Sequence, residues 1–331
     1  MDLYPIFFLA VFVVGSLASL SKGPIWGLLT YVYVYYNIPG RQWWGDQLPN
    51  LSWSFLIAGI LVVSCLFHRE NLASGHFKYN APGKWLLSLM MIMVIVAPFT
   101  PDPAHSWLKV YDFFRYVLMF FIVVSVLTTF RQYKLFIAVL LFCTFYLSIL
   151  AEHYFSGARL DGVGLPDAAD ANMLAALFVL MIPLYVVLVA TESGWQRWLA
   201  LLPLPFVMNA FAMCSSRGAF VGLAMQGLVA MWLLRKKIGM GKALICCLLV
   251  GSAMFYLMDD KYRDRVLGMN EAIDEETRVQ ASAGRWEVWQ YGIEMAYDYP
   301  MGAGGDGFMA LSQYYLPDYR LTRGGIRAAH N

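Results

Sequence analysis

The first 258 residues are a succession of long apolar runs separated by short polar turns, and this limits the fold more than any motif does. Lipid offers no partner for open backbone N–H and C=O groups, so a run that crosses a bilayer must close its hydrogen bonds internally. The runs lack the two-residue alternation of a membrane barrel, which leaves helices. Charge usage agrees: 14% of residues are charged and 60% hydrophobic, against about 25% charged in soluble domains. The fold class expected is therefore an all-α polytopic membrane protein.

Ten spans are read: 4–20, 24–36, 51–67, 85–99, 107–127, 135–151, 171–190, 198–214, 219–234 and 243–257. The second is short enough to be a hairpin or re-entrant piece. Basic residues are uneven between the connecting turns. One alternate set carries Lys22, then Arg69, Lys78 and Lys84, then Arg131 and Lys134, then Arg197, and finally Arg235, Lys236, Lys237 and Lys242. The opposite set carries only Arg41, Arg159 and Arg217. Lysine and arginine accumulate on the cytoplasmic side, so the first set is cytoplasmic. The N-terminus and the polar segment after the last span then face outward. That segment, Asp259–Asn331, holds eight Lys/Arg residues and one histidine, His330. The chain divides into a transmembrane bundle, 1–258, and an extracytoplasmic catalytic loop, 259–331. The N-terminus has no basic n-region and reads as a first span rather than a cleavable signal. The sequence stops inside the loop with no returning span, so a C-terminally incomplete chain is expected.

Several functions are excluded at this level. A net charge of +2 is too small for nucleic acid. Of five cysteines, Cys65, Cys143, Cys246 and Cys247 lie inside apolar runs and Cys214 near a span end. With no CxxC and no Cys/His cluster, neither a zinc site nor a disulfide framework is supported.

The polar residues fall into a few groups. Arg217, in Ser215-Ser216-Arg217-Gly218-Ala219, stands where an apolar run meets the outer face, against the usual bias. An arginine there either binds an anion or snorkels to the interface. Gly218 and Gly222 have the spacing of a helix-packing pair. Arg285 is expected in the first turn of a helix capped by Ser282, with Trp286, Trp289, Ile293 and Ala296 along one face. A cation near free N–H groups makes sense if both share an anion such as a phosphate. Gly302–Gly307 fits GxGxxG literally, but no strand precedes it, so a turn that reverses the chain is expected rather than a dinucleotide site. His330 is the one side chain of the loop suited to move protons near neutral pH. Arg320, Arg323 and Arg327 before it read as a solvated or headgroup-facing basic face. Lys109, Asp112 and Arg115 read as a charge-paired helix face. Asp170 or Asn172 is expected as a helix N-cap after Asp167. His105, Glu152, His153 and Arg159 show no metal-like spacing.

Three pieces taken together, Ser216-Arg217-Gly218-Ala219 at a span start, Gly284-Arg285-Trp286 followed by Pro300-Met301-Gly302-Ala303-Gly304, and His330-Asn331, resemble the O-antigen ligase and polymerase superfamily. The plan of many spans and one large outer loop is similar too. Within it, the chain looks most like the O-glycosylation ligases associated with the exosortase A system. The resemblance implies a GT-C-type membrane glycosyltransferase with a periplasmic active site in the bacterial inner membrane. It implies a donor glycan on undecaprenyl pyrophosphate, a protein or lipid acceptor hydroxyl, inversion at the anomeric centre, and neither a metal nor another cofactor. Arg217 and Arg285 would bind the pyrophosphate and His330 would be the catalytic base. A polysaccharide polymerase of the same superfamily differs only in the acceptor. A transporter or flippase would instead need ionisable residues along a membrane path, of which Lys109, Asp112 and Arg115 offer a little.

Overall fold

A computed structural model of the chain describes residues 3–73, 81–156, 160, 163–168, 170–238, 275–317 and 321. The expected span 243–257, Arg159, Arg320, Arg323, Arg327 and His330 lie outside these residues. Among the described residues every regular element is helical. Four helices are long and apolar enough to cross a membrane: Leu3–Lys22, Ala81–Phe99, Phe130–Tyr154 and Ala171–Val189. Trp53–Phe67 and Gly218–Ala230 are shorter apolar helices. The protein is an all-α polytopic membrane protein.

The chain forms two compact units, one of Met1–Leu72 with Val126–Gly268, the other of Ala73–Ser125 with Met269–Asn331. The first contains α1 (Leu3–Lys22), α2 (Pro24–Tyr36) and α3 (Trp53–Phe67). The second contains α4 (Ala81–Val96) and α5 (Pro103–Val126). The chain then returns to the first unit for α6 (Phe130–Tyr154), α7 (Ala171–Thr191), α8 (Trp195–Leu201), α9 (Leu204–Met213) and α10 (Arg217–Ile238). It ends in the second with α11 (Glu275–Asp298) and α12 (Gly307–Tyr315).

In the first unit, α1 and α2 form a tight helical hairpin. Gly23 at φ 118° breaks α1, and Pro24 starts α2 at a position that needs no N–H. Gly27 lets α2 lie against α1, since a Cβ there would sit 2.4 Å from Ser19 Oγ. Ser64 Oγ of α3 donates to the Ser19 carbonyl at 2.5 Å. Phe8, Trp44, Trp53 and Ile57 fill one core, with Phe8 and Trp53 edge to face at 5.4 Å. A larger core joins α2, α6, α7 and α9 around Phe178, Tyr185 and Phe211, all buried. The Tyr185 hydroxyl donates to the Leu141 carbonyl and so is satisfied inside that core.

Helix starts follow their caps. The sequence 129–132 is a capping box, with Thr129 Oγ1 accepting from the Gln132 N–H at 3.3 Å and Gln132 Oε1 from the Thr129 N–H at 3.0 Å. It starts α6 five residues before the apolar run at 135. Asp170 caps α7, accepting from the N–H groups of Asn172 at 2.7 Å and Met173 at 3.0 Å. The continuous span expected over 198–214 is instead two helices, α8 and α9. Pro203 and Pro205 supply no N–H groups and disfavour helix before them, so the chain breaks at Leu202-Pro203.

In the second unit, α11 and α12 pack through Val288, Met295, Leu311 and Leu316, with Phe308 over Gly292. The face of Trp286, Trp289 and Ile293 is the exposed one. The apolar stripe read from the sequence is therefore real, but the core of this unit uses the opposite side.

Candidate functional site

Arg217 is the first residue of α10. Met213 ends α9, and Cys214, fully buried, donates its thiol to the Ala210 carbonyl at 3.3 Å. Ser215 then adopts φ 50°, a left-handed conformation that turns the chain sharply. Ser216 accepts the first helical bond, from the Phe220 N–H at 3.1 Å. Its hydroxyl reaches another helix. It donates across to Asn172 Oδ1 of α7 at 2.9 Å and is buried there. The amides of Arg217, Gly218 and Ala219 precede the first helical bond and have no carbonyl within the helix to bond to. A helix N-terminus with free N–H groups is suited to an anion. Gly218 is exposed with nothing within 4 Å of an added Cβ, while Gly222 faces Val179 of α7 at 3.8 Å. Only the second glycine of the expected pair packs a neighbour.

Arg285 requires a correction. Its helix does not start at Ser282 but at Glu275, so Arg285 is eleventh in α11 rather than in a first turn. The acidic start Glu275-Glu276 suits the positive end of the helix dipole better than Ser282 does. Of the two arginines, Arg217 is the one at a helix N-terminus. Arg217 lies in the first unit and Arg285 in the second.

The glycine-rich turn between α11 and α12 closes on another helix. It is a clamp on the start of α5. Asp306, at φ 52°, places one carboxylate oxygen 2.8 Å from Lys109 Nζ and 3.1 Å from His105 Nε2. The Gly305 N–H donates to Ser106 Oγ at 3.3 Å, and Ser106 is hydrogen-bonded to Thr100 at 2.9 Å. Glycine is required at 304 and 305. A Cβ on Gly304 would lie 2.2 Å from Ser106 Oγ, and one on Gly305 2.4 Å from Lys109 Cγ. The expected face of Lys109, Asp112 and Arg115 is thus only partly internal, since Arg115 pairs with Asp112 while Lys109 turns to Asp306. The cluster of His105, Lys109 and Asp306 was not legible as a unit in the sequence. Its one signal is the extra cation of that helical triplet, at 109.

Lys109 and His105 hold the Asp306 carboxyl below its ordinary range. The sign follows directly: a depressed carboxylate contributes stability above its unfolded value of about 3.9, and that stability is lost as the pH falls through the lower native one. The group is part-exposed, so the effect is small, under about 1 kcal/mol. Amide exchange of residues 305–310 is expected to quicken below about pH 4 in the wild type, and already at neutral pH in Asp306→Asn. Equal exchange in the two proteins at pH 7 would show that the ion pairs do not hold the turn. Among the described residues no group of three potential ligands is placed to hold a metal ion.

The helices define a class: an all-α polytopic membrane protein, with Arg217 and Arg285 both at helical positions. Residues 199–331 match the family described as O-Antigen ligase. That stretch is two-fifths of the chain, and its similarity is to membrane enzymes of the ligase type. No curated protein and no solved structure matches the chain.

Proposed function

We propose that the protein transfers a glycan from undecaprenyl pyrophosphate to an acceptor hydroxyl at the outer face of the bacterial inner membrane. The observation that carries this reading is the match of residues 199–331 to the O-antigen ligase family, a stretch that includes Arg217, Arg285 and His330. The place of Arg217 at the start of α10 supports its role, because a helix N-terminus carrying an arginine suits the leaving pyrophosphate. That group gains negative charge as the glycosidic bond breaks, and fixed guanidiniums lower the energy of that charge. His330 takes the proton of the attacking hydroxyl, and attack opposite the leaving group inverts the anomeric centre. In this reading 1–258 anchors the chain and 259–331 is the periplasmic loop. The basic turn at Arg235–Lys237 supports an outward loop. The O-glycosylation ligases of the exosortase A system are the subgroup proposed.

The test is turnover of a lipid-pyrophosphate glycan donor by purified protein in detergent, with products resolved by size. Single additions to protein or lipid are expected. A ladder of lengthening glycan would make the protein a polymerase. Absence of turnover with every acceptor tried, alongside movement of the donor across vesicles, would make it a transporter.

A further inference from the structure

Beside the clamp lies a cavity of about 140 Å³ within the second unit. Pro101, Asp102, His105, Asp306, Met309 and Ala310 are among its walls. Its size is below the roughly 300 Å³ of a typical small-molecule pocket, so it has room for a single ring and none for a polyprenyl pyrophosphate.

Two of the polar side chains of this lining, Asp102 and Asp306, are carboxylates. Asp102 is the N-cap of α5, with Oδ1 taking the His105 N–H at 3.0 Å. Asp306 is held ionised by Lys109, so it can only accept, and the His105 Nε2 that faces it must carry the proton. Several nearby backbone donors are already used: Gly305 N–H on Ser106, Gly307 N–H on the Gly304 carbonyl and Ala310 N–H on the Asp306 carbonyl. Two carboxylates repel an anion. A bare cation is disfavoured because the Lys109 ammonium already occupies the shared oxygen of Asp306. The complementary ligand is neutral and rich in O–H donors, with a C–H face to lie on Pro101 and Met309.

We infer that this cavity is a saccharide subsite that binds one neutral sugar ring of the acceptor. The assignment of the ring to the acceptor rests on the glycosyl-transfer reading, whereas binding of a neutral sugar does not. The two carboxylates accept hydrogen bonds from ring hydroxyls, the second ring nitrogen of His105 pairs with another hydroxyl, and the glycine turn 302–307 forms the wall opposite α5.

The probes are methyl α-glucoside and methyl N-acetyl-β-glucosaminide, with glucuronate and calcium as charged counterparts, followed by saturation-transfer NMR on the full-length protein in nanodiscs. Neutral glycosides are expected to bind. Loss of one hydrogen bond in His105→Ala weakens binding about fivefold, and Ala310→Trp, which blocks the exposed rim, abolishes it. Both variants are checked for an unchanged melting temperature. If His105→Ala melts early, Ala310→Trp alone decides. Glycoside binding that survives Ala310→Trp, or preference for glucuronate or calcium over the neutral sugars, overturns the subsite. Because binding is read without turnover, failure here leaves donor transfer to its own assay. Failure of transfer in that assay, with glycoside binding intact, removes the acceptor role and keeps the sugar site.

Discussion

Arg217→Ala is expected to lower glycan transfer by about 10²–10³-fold, the usual effect of removing one fixed group that stabilises developing charge. The loss should appear in kcat as well as kcat/KM, because the leaving pyrophosphate is more negative in the transition state than in the bound donor. Arg217→Lys should recover only part of it. Lysine keeps the charge but cannot present a planar fork to two phosphate oxygens. The neighbouring contact supplies a finer test. Asn172→Ala frees the buried Ser216 hydroxyl, which can then turn back to cap α10 and compete for the amides an anion would use. Transfer should fall in this variant, with a smaller loss than in Arg217→Ala, while the helix itself gains a cap. Wild-type transfer in Arg217→Ala would remove the anion role from this helix start, whatever happens at Arg285→Ala and His330→Ala.

Gly304→Ala is the substitution with the largest expected effect on stability near the clamp. Gly304 sits at φ 86°, where an L side chain costs about 1–2 kcal/mol. The added methyl also meets Ser106 Oγ at 2.2 Å and Thr100 Cγ2 at 2.6 Å, a contact of the kind that costs about 1–3 kcal/mol. Both neighbours are buried and hydrogen-bonded to each other, so neither moves freely. Together the loss is about 2–5 kcal/mol, read as a lowered melting temperature and as faster exchange over 302–310. Gly218→Ala is the control. It has open space around it in a helix, so it should be neutral or stabilising by up to about 1 kcal/mol. If both variants melt alike, the close approach of the turn to α5 is not what holds it.

Much of the plan was legible in the sequence because it depends on the chain's solvent and on local rules. Apolar runs imply helices in lipid irrespective of what packs against them. Asp170 as a cap and Pro24 after Gly23 follow from backbone chemistry that needs only neighbours in sequence. The limits of local reasoning show at Arg285. A serine three residues upstream looks like a cap, yet helix also forms from Glu275 onward, and Ser282 has no end to cap. At 198–214 hydropathy alone suggested one span, and two prolines divide it.

Residue chemistry along the chain determined that this protein is helical and membrane-embedded, since burial in lipid acts on short segments one at a time. Only the tertiary structure decided that Asp306 meets Lys109 and His105, some two hundred residues away in sequence. It also decided that the Ser216 hydroxyl leaves its own helix for Asn172 of α7. Such pairings depend on which helix faces reach each other, and that is set by packing across the whole unit. No periodicity in a single helix encodes it. The glycines at 304 and 305 were visible as a turn, but their purpose, letting backbone lie against α5, required the helix they touch to be in view.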